Sequence, residues 1–339
     1  MAAPIKIVHL SGSALAGAPG MLARAQNQLY GYDAVHFRTG DHGHFRDLMS
    51  INTIPVRANA LDAELVRRHI SEADVIHVHN LVAPFALSWL AEVDGINERT
   101  LIYQVHSPTR ERPIYRDLSD AVGLEWDARL AVSQIHPRLF PTMTPVPNCL
   151  HRDWLTPRLR SRPRFDGPVR VVFSPSTPSR SRWSSKSSPA FDAQLKQLGD
   201  NRRFELIKVT DVSPERLSAT RSVADVSIDE VLTGGFHLVS YEGMAAGNVV
   251  VNGADELSLA AFAMGFRTNE PPPFLRTDLD GFAEQLGRLA SDRRLLADWM
   301  DASHDYYWRI MSAERVVGIY DEIYRAGKAG HGERADAVA

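Results

Sequence analysis

The sequence predicts an α/β protein made of two doubly wound parallel-sheet domains, and three observations lead to it. Short β-branched and apolar runs alternate with segments of helical period, as strands buried on both faces and their crossover helices do. The alternation breaks once, in a proline-rich stretch near the middle of the chain. It then restarts, giving a second half of about equal length.

In the first half the strand runs are IKIVHL (5–10), DAVHFR (33–38), DVIHVH (74–79), LIYQVH (101–106) and ARLAVS (128–133). Helices are expected between them over 20–30, 61–72, 82–93 and 113–123. Residues 141–168 carry six prolines and no period, and read as the linker. After it come VRVVFS (169–174), FELIKV (204–209), ADVSID (224–229) and NVVVNG (248–253). Helices are expected over 187–199, 214–222, 240–247, 255–263 and 279–290. Near the C-terminus Val316, Val317, Ile319, Tyr320, Ile323 and Tyr324 form a stripe at helical spacing. The last thirteen residues are small and polar and are expected to fray. The domains are expected over 1–150 and 151–310, with a closing helical segment over 311–339.

Bulk properties narrow the function. The chain has 339 residues, 44% hydrophobic and 23% charged, with a formal net charge of −3. No strong positive field points to nucleic acid, so none is expected as a partner. The lone cysteine, Cys149, excludes a disulfide framework and a cysteine-based zinc site. The N-terminus reads as a first strand and not a signal peptide. No run reaches about 18 apolar residues, the length of a membrane-spanning helix. A cytoplasmic protein is expected, with peripheral contact at the inner face of a membrane left open. The oligomeric state is not legible.

The stretch LTGGFHLVSYEGMAAGNVVV (232–251) carries the chemistry. Glycines before a helix let an anion approach backbone N–H groups and the positive end of the helix dipole. Together with the strand ending at Ile228-Asp229, the Gly235-Phe236 turn and Glu242-Gly-Met-Ala-Ala-Gly, this segment resembles the donor-binding segment of GT-B glycosyltransferases. The likeness is greatest to the retaining enzymes of family 4, the glycosyl transferases group 1. The stretch 174–191 resembles that family's basic loop with its lysine, and 13–25 its glycine-containing loop after the first strand. IYQVHSP (102–108) resembles the strand that ends in a donor-facing histidine.

The resemblance implies two Rossmann-like domains facing across a cleft. The N-terminal domain would take the acceptor and the C-terminal domain the nucleotide-sugar, and the last helix would cross back to the N-terminal domain. It implies transfer with retention and no cofactor or metal. His106 and Lys186 become the candidate catalytic side chains. Gly234, Gly235, Phe236, His237, Glu242, Arg182 and Arg180 become donor-binding candidates, with Ser11, Gly12 and Gly17 on the acceptor or donor loop. Leaving diphosphate gathers negative charge, which Lys186 and the arginines would meet as fixed cations and the glycine turn as N–H donors. A positive φ is expected at Gly235. Glu242 has the two acceptor oxygens that a ribose diol needs.

The match departs from the family in one place. The family's first glutamate, seven intervening residues before the second, falls on Gly234, and His237 stands where a glycine is usual. Asp229 or Glu230 are the acids near enough in sequence to compensate. A catalytically silent nucleotide-sugar or glycan binder and a sugar-nucleotide epimerase therefore stay open. A dinucleotide oxidoreductase does not fit, because GSALAGAPG lacks the Gly-x-Gly-x-x-Gly spacing. His77 and His79 alternate on one strand face and could share a metal only with a further ligand. Asp278-x-Asp280 reads as a helix cap.

Overall fold

The computed structural model describes residues 4–40, 52–106, 123–134, 136–150, 155, 167–175 and 188–338. By contacts they divide into two compact units, Met1–His151 with Ala313–Ala339, and Arg152–Ser312.

The first unit holds a seven-stranded sheet, all of whose pairs are parallel, in the order β3-β2-β1-β4-β5-β6-β7. Its strands are β1 (Lys6–Ser11), β2 (Asp33–Arg38), β3 (Thr53–Pro55), β4 (Val75–His79), β5 (Thr100–Val105), β6 (Ala128–Val132) and β7 (Thr144–Val146). The helices are α1 (Ala18–Tyr30), α2 (Ala60–Glu72) and α3 (Pro84–Ala91). The five central strands lie where the apolar runs placed them. The edge strands β3 and β7 have three residues each, too few to show a period, and β7 lies inside the stretch read as linker. The helix expected over 113–123 falls outside the described residues, except Gly123.

The second unit holds a five-stranded parallel sheet in the order β12-β11-β10-β8-β9. Its strands are β8 (Val169–Phe173), β9 (Phe204–Lys208), β10 (Val226–Ile228), β11 (Val249–Asn252) and β12 (Phe274–Arg276). Strand β12 follows three prolines, which hide it from a sequence reading. The helices are α4 (Pro189–Asp200), α5 (Pro214–Ser222), α6 (Leu238–Ala245), α7 (Glu256–Phe266), α8 (Phe282–Ser291) and α9 (Arg293–Tyr306). A π turn, Tyr307–Met311, and Ser312 close this unit. Helix α10 (Ala313–Val338) then packs on α1 and β5 of the first unit. The polar tail does not end the helix early; Ala, Glu and Arg, good helix formers, carry it past Gly327, Gly330 and Gly332.

The two faces of the first sheet differ. Val8, Leu10, Ile76, Val78, Leu101 and Tyr103 form an apolar core with Val66 and Ile70 of α2 and Trp89 and Leu90 of α3. The other face carries His9, Ser11, His36, His77, His79 and Gln104, all 0% exposed. Buried polar groups need partners, and α1 and α10 supply them. Gln26 meets His9 at 2.8 Å, Tyr324 Oη meets His77 Nδ1 at 2.8 Å, and Tyr320 Oη donates to Gln104 Oε1 at 3.1 Å. Burial pushes the His9 imidazole down to about 4, and those of His36, His77 and His79 well down too. These rings are neutral inside the fold at neutral pH.

Helix α6 lies close on its sheet. A Cβ at Gly243 would stand 2.9 Å from both Ser227 Cβ and Val250 Cγ2. Gly243→Val should cost about 1–3 kcal/mol by overpacking, read as a lower urea midpoint with unchanged m. An unaltered midpoint would show that α6 has room to move. The histidine layer yields a second expectation. The folded pKa of His9 lies below the unfolded value of 6.5, so between those two values the unfolded chain binds more protons. Its contribution is complete above pH 6.5 and is lost as pH falls towards 4, a loss on the order of 3 kcal/mol. Urea midpoints at pH 7 and pH 5 check it, and equal midpoints would contradict it.

Candidate functional site

The site grows from the carboxyl ends of the strands, where open α/β sheets place ligands. Strand β10 ends at Ile228, and the next two residues are acids. Asp229 Oδ2 accepts the His237 N–H at 2.5 Å and the Ser240 hydroxyl at 2.7 Å, while its Oδ1 lies 3.1 Å from His237 Nδ1. Glu230 Oε2 accepts the N–H groups of Leu232 and Thr233 at 2.7 and 2.8 Å. Each carboxylate thus ties the turn between β10 and α6.

That turn fixes Gly234. Its φ is +74°, and its carbonyl accepts the Asp255 N–H at 3.0 Å and the Ser258 hydroxyl at 2.8 Å. A Cβ there would come within 2.7 Å of Asp255 Oδ2. The left-handed conformation expected at Gly235 therefore belongs to Gly234, the residue that must be glycine. Phe236 is fully buried and packs on Tyr241, Phe262 and Phe274, so its ring is core and only its backbone faces the turn.

Helix α6 begins at Leu238 after His237, and no side chain caps it. The neighbouring helices are capped: Ser188 accepts from Phe191, Ser213 from Arg216 and Asp255 from Ser258. The first N–H groups of α6, at Leu238 and Val239, have no acceptor within the helix. Among the described residues no side chain caps them.

One turn later, Glu242 is joined by the Arg221 guanidinium, which also donates to Ser174 Oγ at 2.9 Å. The Arg221 side chain is 1% exposed and that of Glu242 15%. Burial pushes the Glu242 carboxyl up, and Arg221 pulls it back. Glu242 therefore already holds a cation, and its remaining acceptor capacity is what a hydroxyl could use. Arg221 sits on α5, a short polar helix with no apolar stripe. No pattern in the sequence distinguishes it from a solvated arginine.

His106 follows β5. Its N–H donates to Asn80 Oδ1 at 2.6 Å, and its Nε2 lies 2.8 Å from His79 Nδ1. Asn80 adopts φ +55° just after β4, which turns its amide towards that backbone. Ser11 closes β1 with its hydroxyl between His36 Nε2 and the Ser13 carbonyl, facing inwards. Gly12 donates to the Leu81 carbonyl at 2.7 Å, and a Cβ there would strike that oxygen at 2.5 Å. Gly17, φ +82°, starts α1. Lys186, Arg182 and Arg180 lie outside the described residues. Asp278 accepts the Gly281 N–H at 2.9 Å, and so ties the turn before α8 in place of capping the helix itself.

Among the described residues, His9, His77 and His79 bring ligand atoms within 4.8 Å of one another. His9 is the third ligand that the His77–His79 pair lacked in sequence. The trio suits a divalent ion poorly. His9 Nδ1 and His79 Nε2 already share a proton at 2.9 Å, and no carboxylate is hydrogen-bonded to the three rings to offset a fully buried charge.

No protein-family model matches the chain, and no curated protein matches it in sequence. Solved structures do match in fold. A glycosyltransferase from Rickettsia africae has a TM-score of 0.61 at 13% identity, over 96% of this chain and 99% of its own. HepE of Anabaena, solved with UDP and glucose, gives 0.59 at 16%, over 94% and 98%. Sucrose-phosphate synthase from Thermosynechococcus elongatus gives 0.59 at 14%, over 96% and 100%. At such identities the likeness is one of fold: two parallel-sheet α/β domains, the architecture of GT-B glycosyltransferases.

Proposed function

We propose that this protein is a glycosyltransferase that moves a sugar from a nucleotide-sugar to an acceptor, with retention and without metal. The observation that carries the reading is the uncapped start of α6, placed one turn before Glu242 at the end of a parallel strand. In this reading the N–H groups of Leu238 and Val239 receive the diphosphate. Lys186, with Arg182 or Arg180, adds cationic charge as the leaving group gains its negative charge. Glu242, oriented by Arg221, accepts the ribose hydroxyls. His106 meets the donor sugar, and the first unit takes the acceptor. The UDP and glucose held by the Anabaena neighbour support a nucleotide-sugar as the partner.

One observation favours a second reading, a nucleotide-sugar binder without turnover. An acid at position 234 would need both a left-handed backbone and the space that Asp255 fills. The release of nucleoside diphosphate from a donor, with or without acceptor, separates enzyme from binder.

Removing Glu242 would strand a buried arginine and confuse folding with binding. Leu238→Pro is the cleaner test. Proline is tolerated at the first helical position, and His237, at φ −133° and ψ −172°, suits the residue before it. The variant loses one N–H and keeps the helix. A hydrogen bond to a charged group is worth about 1.5–3 kcal/mol, so UDP or dTDP affinity should fall roughly ten- to a hundredfold by calorimetry. Unchanged affinity in a folded variant, or no nucleoside diphosphate bound by the wild type, would overturn the reading.

A further inference from the structure

We propose that His79, His9 and Gln26 are positioning residues that fix which nitrogen of His106 carries the proton. The proposal rests on the reading of His106 as the residue that meets the donor sugar. Four hydrogen bonds form one chain beneath the first sheet. Gln26 Nε2 donates to Tyr324 Oη at 3.1 Å, and Gln26 Oε1 meets His9 Nε2 at 2.8 Å. His9 Nδ1 meets His79 Nε2 at 2.9 Å, and His79 Nδ1 meets His106 Nε2 at 2.8 Å. Gln26, His9 and His79 are each 0% exposed, so water does not compete for these links.

A neutral imidazole has one donor and one acceptor nitrogen, so a proton assigned at one end of such a chain assigns the rest. The end is Gln26. Its carbonyl oxygen can only accept, so His9 carries its proton on Nε2 and accepts on Nδ1. His79 must then donate from Nε2 and accept on Nδ1. His106 must donate from Nε2, which makes its Nδ1 an acceptor. Tyr324 Oη accepts from Gln26 Nε2 at 3.1 Å, which points the amide oxygen at His9, and also lies 2.8 Å from His77 Nδ1. Running the chain the other way requires the Gln26 amide to flip and every link to reverse together. A proton added within the chain would bury a cation and set two donors face to face.

The consequence is chemical. With Nδ1 as acceptor, His106 receives a hydrogen bond from a sugar hydroxyl, and a donor sugar deoxygenated at that hydroxyl loses the interaction. A histidine of mixed tautomer would offer that acceptor only part of the time.

The test is nitrogen-15 NMR of histidine-labelled full-length protein at pH 7, with no nucleotide present. Wild type should show His106 as a single tautomer, protonated on Nε2. Tyr324→Phe keeps the packing and removes the hydroxyl that orients the amide. Gln26→Leu removes the amide. In either variant His106 should become a mixture, and turnover should fall roughly three- to tenfold with nucleoside diphosphate affinity unchanged. If Gln26→Leu does not fold, Tyr324→Phe decides. His106 protonated on Nδ1 in the wild type, or a single unchanged tautomer in a folded variant, would overturn the proposal. The NMR readout needs no donor, so absent nucleotide binding with the stated tautomer refutes the transferase reading alone.

Discussion

A parallel sheet has to be covered on both faces, and the first sheet of this protein meets that constraint in two different ways. One face is apolar and is sealed by α2 and α3. The other is a layer of histidines, Ser11 and Gln104, which cannot be sealed by apolar side chains without leaving polar groups unpaired. It needs a cover that brings hydroxyls and amides at set heights. Helix α10 does this with Tyr320 and Tyr324, two residues four apart on one helical face, and α1 does it with Gln26. The return of the C-terminal helix is thus tied to the polarity of the sheet it covers.

The second unit solves a different problem with the same kind of economy. The turn from β10 to α6 is tied from below by two carboxylates, Asp229 and Glu230. Because Asp229 binds the turn and not the helix's first N–H groups, α6 begins uncapped. A capping serine or aspartate at position 237 would occupy those donors. His237 is held by Asp229 in place of doing so. Nearby, the burial of Arg221 is tolerated because Glu242 and Ser174 share its donors.

Much of this was legible in the sequence. Nine strands and, among the described residues, the helices between them follow from periodicity, and α5 lies on the residues expected for it, with Ser213 and Pro214 as a start signal. The glycine turn and Glu242 stand out by residue type. Three of the four three-residue strands, β3, β7 and β12, do not; β10, equally short, lies inside the longer apolar run 224–229, whereas the others have no such run around them. The left-handed glycine was misplaced by one residue, because two adjacent glycines look alike until Asp255 crowds one of them.

By itself the sequence determined the alternation of strand and helix, the division into two α/β units and the glycine turn ahead of Glu242, because each depends on residues near one another in the chain. Tertiary structure alone decided the partners. Arg221 reaches Glu242 across 21 positions, His9 reaches His79 across 70, and Gln26 reaches Tyr324 across 298. Periodicity says which face a side chain occupies, but not which distant side chain shares it. Burial then converts that meeting into chemistry, by keeping the histidines neutral.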